Sequence, residues 1–207
     1  MLFERSATVF CAGILVLAAF DVQASECMTA ANLAQGIHVD YSEGGSGMYR
    51  AIGDDLVEFV EAGTAEGGGD LRFVSRFGLY DIEASARIDG VSSSDHQVRY
   101  DYEGSPLVPP VAKALAWTGQ VIATFPGDQH FQQTAAYVFG EEGQTVLGEC
   151  RYRSLPVNVT FIGEGGWEGQ AFVYFPDLGF AALTGHSRQG AEAQSLTLSA
   201  LRPTDAP

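Results

Sequence analysis

The chain has 207 residues, 46% of them hydrophobic and 11% aromatic, and a formal net charge of −15. That apolar content excludes disorder as the main state. The acidity speaks against nucleic acid as a partner and against adhesion to anionic lipid through surface charge.

Residues 7–20 form an apolar run behind Arg5, shorter than the roughly 20 residues a helix needs to span a bilayer. Val22-Gln23-Ala24 closes the run with the small residues a signal peptidase accepts. The reading is a signal peptide over 1–24, a periplasmic or secreted mature chain, a single β-rich domain over 25–207, and no transmembrane span after the leader. Glu26 stands immediately before Cys27, where a lipid-attachment motif needs a small residue. Cleavage removes Cys11 and leaves Cys27 and Cys150, and an even count in an oxidising compartment points to a disulfide between them. Strand alternation puts Cys150 on one face with Val146, Gly148 and Tyr152, the apolar side.

Met28 to Gln35 reads as a short helix stopped by Gly36. Strands follow at 48–53 and 55–62. In "LRFVSRFGLYDIEASARID" (71–89) the apolar residues sit at odd positions up to Phe77 and at even positions from Tyr80. A two-residue turn at Gly78-Leu79 explains the change and sets Arg76 opposite Asp81 on the solvent side. A β-bulge at Gly78 within one long strand is the alternative. "DGVSSSDH" (89–96) lacks the acidic spacing of a calcium loop and reads as a polar turn. Further strands are expected at 97–103, 118–125, 133–139, 144–153, 156–162, 168–175, 179–186 and 194–201, with one or two helical turns in "PPVAKALAW" (109–117). The fold class is all-β and mainly antiparallel: a strongly curved sheet or open half-barrel with a short N-terminal helix.

Few motifs carry chemistry. "GHSRQG" (185–190) places its second glycine one position too late for a serine-hydrolase elbow, and no histidine follows His186. His38 and Asp40 share a strand face, short of the three or four ligands of a closed metal site. No catalytic residue, metal site or cofactor is expected. What stands out is the number of large aromatics on strands, read first as an ordinary sandwich or barrel core. Phe73, Phe77, Tyr152, Phe161, Phe172 and Tyr174 are the candidates for lining an apolar ligand cleft.

"VRYDYEGSPLVPP" (98–110), "GECRYRSLPVNVTF" (148–161) and "FVYFPDLGF" (172–180) together resemble the layout of exported bacterial β-rich proteins of unknown function, themselves similar to the half-barrels of lipoprotein-carrier proteins. The resemblance implies a cell-envelope location and a curved antiparallel sheet, and it carries no catalytic motif. The expected function is non-enzymatic: a binding or carrier protein for a lipid or other hydrophobic molecule, or an accessory factor in envelope assembly. The alternatives are a structural or interaction module meeting an envelope protein and, third, a hydrolase whose site assembles from distant residues.

Overall fold

The computed structural model describes residues 27–63, 69–103 and 111–204. The leader reading and the start of the expected 109–117 helical turn lie outside the described residues. After α1 (Ala30–Gln35) come β1 (Ile37–Tyr41), β2 (Ser46–Ala51), β3 (Leu56–Glu61), β4 (Asp70–Arg76), β5 (Tyr80–Ile88), β6 (Val91–Glu103), β7 (Ala116–Phe125), β8 (Gln129–Phe139), β9 (Gly143–Leu147), β10 (Cys150–Gly163), β11 (Gly166–Phe175), β12 (Phe180–Arg188), β13 (Gln194–Ser195) and β14 (Leu198–Pro203). Among these residues no helix is long and apolar enough to cross a membrane.

The strands form one 14-stranded antiparallel sheet, as the alternation and turn spacing lead one to expect. Its order is largely a meander, with β9 pairing only the first half of β10 and β14 returning to β1. The two ends of the order are β13 on β12 and β14 on β1, which do not pair with each other, so the sheet is curved and open. The chain between them still runs from edge to edge, held where Leu196 N–H donates to Thr184 O (2.9 Å) and Ser42 N–H donates to Thr197 O (2.9 Å). Register shifts at 74/75, 85/87 and 171/172 add local twist and bend the sheet onto itself.

The bend produces two apolar clusters. The first gathers Met28, Leu33, Ile37, Val39, Tyr49, Cys150, Tyr152, Phe175 and Phe180. The second is built on Leu79, Tyr80, Tyr137, Phe139, Val157, Val159 and Ala181. The β11–β12 hairpin serves both, because alternation sends Phe175, Phe180 and Ala182 to one cluster and Ala181 and Tyr174 to the other. Cys27 and Cys150 are disulfide-bonded with Cα atoms 5.6 Å apart. Tyr152 Oη beside the bridge accepts from Met28 N–H at 3.0 Å. Thr29 and Asn32 cap α1, and the helix begins two residues later than the sequence suggests.

Three local expectations are corrected. Residues 144–153 are not one strand: Gly148, at φ 61°, turns the chain between β9 and β10. The turn brings Leu147 rather than Val146 to the face of Cys150, and Val146 is exposed. The stretch read as a polar turn at 91–96 is the start of β6, leaving Asp89-Gly90 alone to make the turn, both at positive φ. Residues 111–115 form a turn rather than a helix, with Val111 and Leu115 packed on the second cluster.

The turn between β4 and β5 folds the sheet. It has three residues, not two: Arg76 pairs with Tyr80, Ser75 with Asp81, and the bulge at 74/75 restores the pairing beyond it. Gly78 lies at φ 69°, where an added Cβ would stand 2.8 Å from Ala181 O and 2.9 Å from Ala181 N. On the same turn Ala181 N–H donates to Phe77 O at 2.9 Å, tying β4–β5 to β12 across the interior. Gly78→Ala combines a left-handed backbone with a collision against main chain, and we expect it to destabilise the fold by about 2 to 4 kcal/mol in urea unfolding. A loss under about 1 kcal/mol would show that this contact yields freely.

Arg76 accordingly pairs with Asp55 rather than with Asp81. On the outer face, Glu58 accepts from Arg50 (2.6 Å) and Arg72 (2.7 Å), and Arg72 also reaches Glu83 (2.7 Å). Burial alone would raise the Glu58 carboxyl, but the two guanidiniums outweigh it and hold the group below its ordinary value. Glu58→Gln leaves Arg72 half-buried with only one carboxylate. The expected loss is about 1 to 3 kcal/mol at pH 7, measured by chemical unfolding and shrinking as pH falls and Glu58 protonates in the native chain.

Candidate functional site: an aromatic cleft

Inside the bend, between β2–β5 on one side and β11–β12 on the other, the side chains leave a cleft of about 120 Å³. Tyr49, Phe59, Phe73, Phe172 and Leu183 supply its apolar wall, with Ser75, Gly78, Glu61, Asp81 and Gln170 the rest. Ladder register explains the convergence: Tyr49 pairs with Phe59, Phe59 with Phe73 and Phe172 with Leu183, so each pair shares the inner face. The Tyr49 and Phe59 rings stack at 4.6 Å, and Phe59 and Phe73 at 5.9 Å.

Two of the six sequence candidates, Phe73 and Phe172, reach this cleft. Phe77, Phe161 and Tyr174 pack instead as partly buried rings on the second cluster, Phe77 edge-on to Tyr174 at 6.5 Å and Phe161 edge-on to Tyr137 at 6.4 Å. Tyr152 is in neither place. It is buried in the first cluster, because β10 switches its buried side between Ser154 and Leu155, and it serves the disulfide end of the molecule. Tyr49, Phe59 and Leu183 are outside the six candidates, because nothing in the sequence marks one apolar residue on an amphipathic strand from another.

Asp81 is the most unusual lining residue. The two-residue turn expected from the sequence would turn it to solvent, whereas the three-residue turn pairs it with buried Ser75 and points it inward. Its open surface lines the cleft, and among the described residues its carboxylate makes no hydrogen bond or ion pair. Desolvation pushes its pKa up to about 7. Its charge also helps raise the hydroxyls of Tyr100, Tyr102 and Tyr137, where desolvation is the larger cause. Two of those hydroxyls are engaged: Tyr137 Oη donates to Leu79 O (3.3 Å) and lies 3.2 Å from Tyr102 Oη, which makes Tyr102 the donor between them.

Asp40, His186 and Ser187, noted in the sequence, are held structurally, as are other polar groups. Arg202 forks onto Asp40. His186 bonds Glu168 at 3.1 Å across β11–β12, and Ser187 Oγ is 3.5 Å from Gly169 O. Glu142 and Asp177 both lie 3.5 Å from Arg153.

Fold and site together define an antiparallel, curved all-β protein with a small aromatic cleft in its bend. No protein-family model matches the chain, and no curated protein matches it. Among solved structures it is similar to the hypothetical lipoprotein YmcC from Escherichia coli K12, at 10% identity and a TM-score of 0.41, over 85% of this chain and 86% of that one.

Proposed function

We propose that the protein is an exported, non-enzymatic binding protein of the cell envelope that takes an apolar group into the cleft of its bent sheet. The observation that carries this reading is the cleft itself: rings of β2, β3, β4 and β11 on the inner face of the bend line a common space. Its volume is below the roughly 300–1,000 Å³ of sites for drug-sized ligands and near the ~150 Å³ of an engineered cavity that takes up benzene. The cleft therefore suits a ring or a branched head, with the rest of a larger molecule outside. Each Å² of apolar surface removed from water contributes about 25 cal/mol, so binding needs little polar chemistry. The disulfide supports an oxidising compartment.

A second reading has its own support. Phe125 and Phe131, edge-on at 5.3 Å, are both exposed near the turn joining β7 and β8, a place where a protein partner finds aromatic surface. A hydrophobic fluorescent dye separates the two. We expect one saturable site on the folded chain, with affinity reduced at least tenfold by Leu183→Trp, which fills the cleft, and unchanged by Phe131→Ser. The reverse pattern would move the function to the β7–β8 tip.

A further inference from the structure

The cleft joins an apolar aromatic wall to a carboxylate, a combination with its own ligand chemistry; the assignment rests on the binding reading above. The stacked rings of Tyr49, Phe59 and Phe73 give an apolar wall suited to alkyl groups. Asp81 adds a carboxylate without a bonded partner among the described residues, and Glu61 is a second acidic residue in the lining. Among the described residues, no lysine, arginine or histidine lines the cleft. The guanidiniums of the neighbouring strand are committed elsewhere, Arg72 to Glu58 and Glu83 and Arg76 to Asp55. We propose that the cleft recognises an organic ammonium group, its alkyl substituents against Tyr49, Phe59, Phe73 and Phe172 and its charge on Asp81. A space of about 120 Å³ admits a compact head of this kind and leaves any attached chain outside.

Charge selection then follows the ionisation of Asp81. With that carboxyl near 7 in the free protein, a permanent cation gains affinity as pH rises through neutrality and loses it below. The groups disposed around Asp81 are Tyr49 on β2, Glu61 on β3, Tyr80 beside it on β5, Tyr100 and Tyr102 on β6 and Tyr137 on β8; Glu168 on β11, with His186 bonded to it, acts on Tyr100. The tyrosines stay neutral over pH 5.5–8.5, since desolvation raises each of them above an already basic value. An Asp81→Asn control separates the Asp81 contribution from that of Glu61, Glu168 and His186.

The test titrates the mature chain with choline and with its uncharged isostere, 3,3-dimethylbutan-1-ol, following amide shifts by NMR. The expected result is binding of choline at least tenfold tighter at pH 8.5. That preference should shrink below threefold at pH 5.5 and in Asp81→Asn at either pH. The pH series on the unsubstituted chain gives the same readout without relying on the variant. Stronger competition by lysophosphatidylcholine than by choline assigns the head group to a lipid, and weaker competition assigns it to a soluble amine; both sustain the proposal. Equal binding of the two isosteres, or a preference kept by Asp81→Asn, overturns it and leaves the binding reading in place. Failure of both isosteres while the dye still occupies the cleft also overturns it. Failure of isosteres and dye alike takes the binding reading down as well.

Discussion

Replacing both Cys27 and Cys150 by serine should lower the unfolding free energy by about 3 to 5 kcal/mol, with a fall in Tm of roughly 10 °C or more. The bridge joins positions 123 residues apart, so its removal releases a long loop in the unfolded chain. In the native state it fastens the segment carrying Met28 and Leu33, both buried in the first cluster, to the start of β10. The hydrogen bond from Met28 N–H to Tyr152 Oη depends on the same attachment. Urea unfolding of the double variant measures the loss, and wild type unfolded in reductant should reproduce it. A double variant as stable as wild type would mean that α1 docks by its apolar residues alone.

Asp81→Asn should make the protein more stable at neutral and alkaline pH, which is uncommon for removal of a charge. The carboxyl is raised from its ordinary value near 4 to about 7 by desolvation, so the folded chain binds a proton that the unfolded chain releases. Below about pH 4 the group is protonated in both states and costs nothing as a charge. Between 4 and 7 the unfolded state ionises first, and stability falls as pH rises. Above 7 the penalty is complete, at most about 4 kcal/mol for three units at 1.36 kcal/mol each. Asp40 and Glu58 act in the opposite sense, because Arg202 and the Arg72–Arg50 pair hold them below their ordinary values and they lose stability on acidification. The wild-type profile therefore mixes both signs, while the difference between Asp81→Asn and wild type isolates Asp81. That difference should grow from near zero at pH 4 to about 2 to 4 kcal/mol at pH 8. A flat difference, or a variant destabilised at pH 8, would show that Asp81 is solvated or paired.

How much of this was legible in the sequence depended on whether a feature is local. The curved antiparallel sheet could be read because period-two alternation and turn residues recur along the whole chain. The cysteine pairing could be read because the leader reading sets Cys11 aside and leaves Cys27 and Cys150 as one option. The cleft was legible only in part. Phe73 and Phe172 announce apolar strand faces, but their meeting depends on how far the sheet bends, which is fixed by bulges at 74/75 and 171/172 that no residue type marks. Asp81 was misplaced for the same reason. A turn one residue longer than expected, with Phe77 at φ 57° and Gly78 at φ 69°, moved Asp81 from opposite Arg76 to opposite Ser75, while the bulge at 74/75 returned the residues beyond it to the expected register. In β10, the switch at Ser154-Leu155 separates Tyr152 from Phe161 although both belong to one run of alternating residues.

A ligand whose apolar group sits in the cleft should stay with the protein through gentle purification. Native mass spectrometry of the protein purified under mild conditions from its own host tests it most directly. A discrete added mass is expected on the folded chain, lost on unfolding and absent from Leu183→Trp prepared in the same way. The same added mass on Leu183→Trp, or a bare chain from host material that also fails to bind the dye, would contradict it.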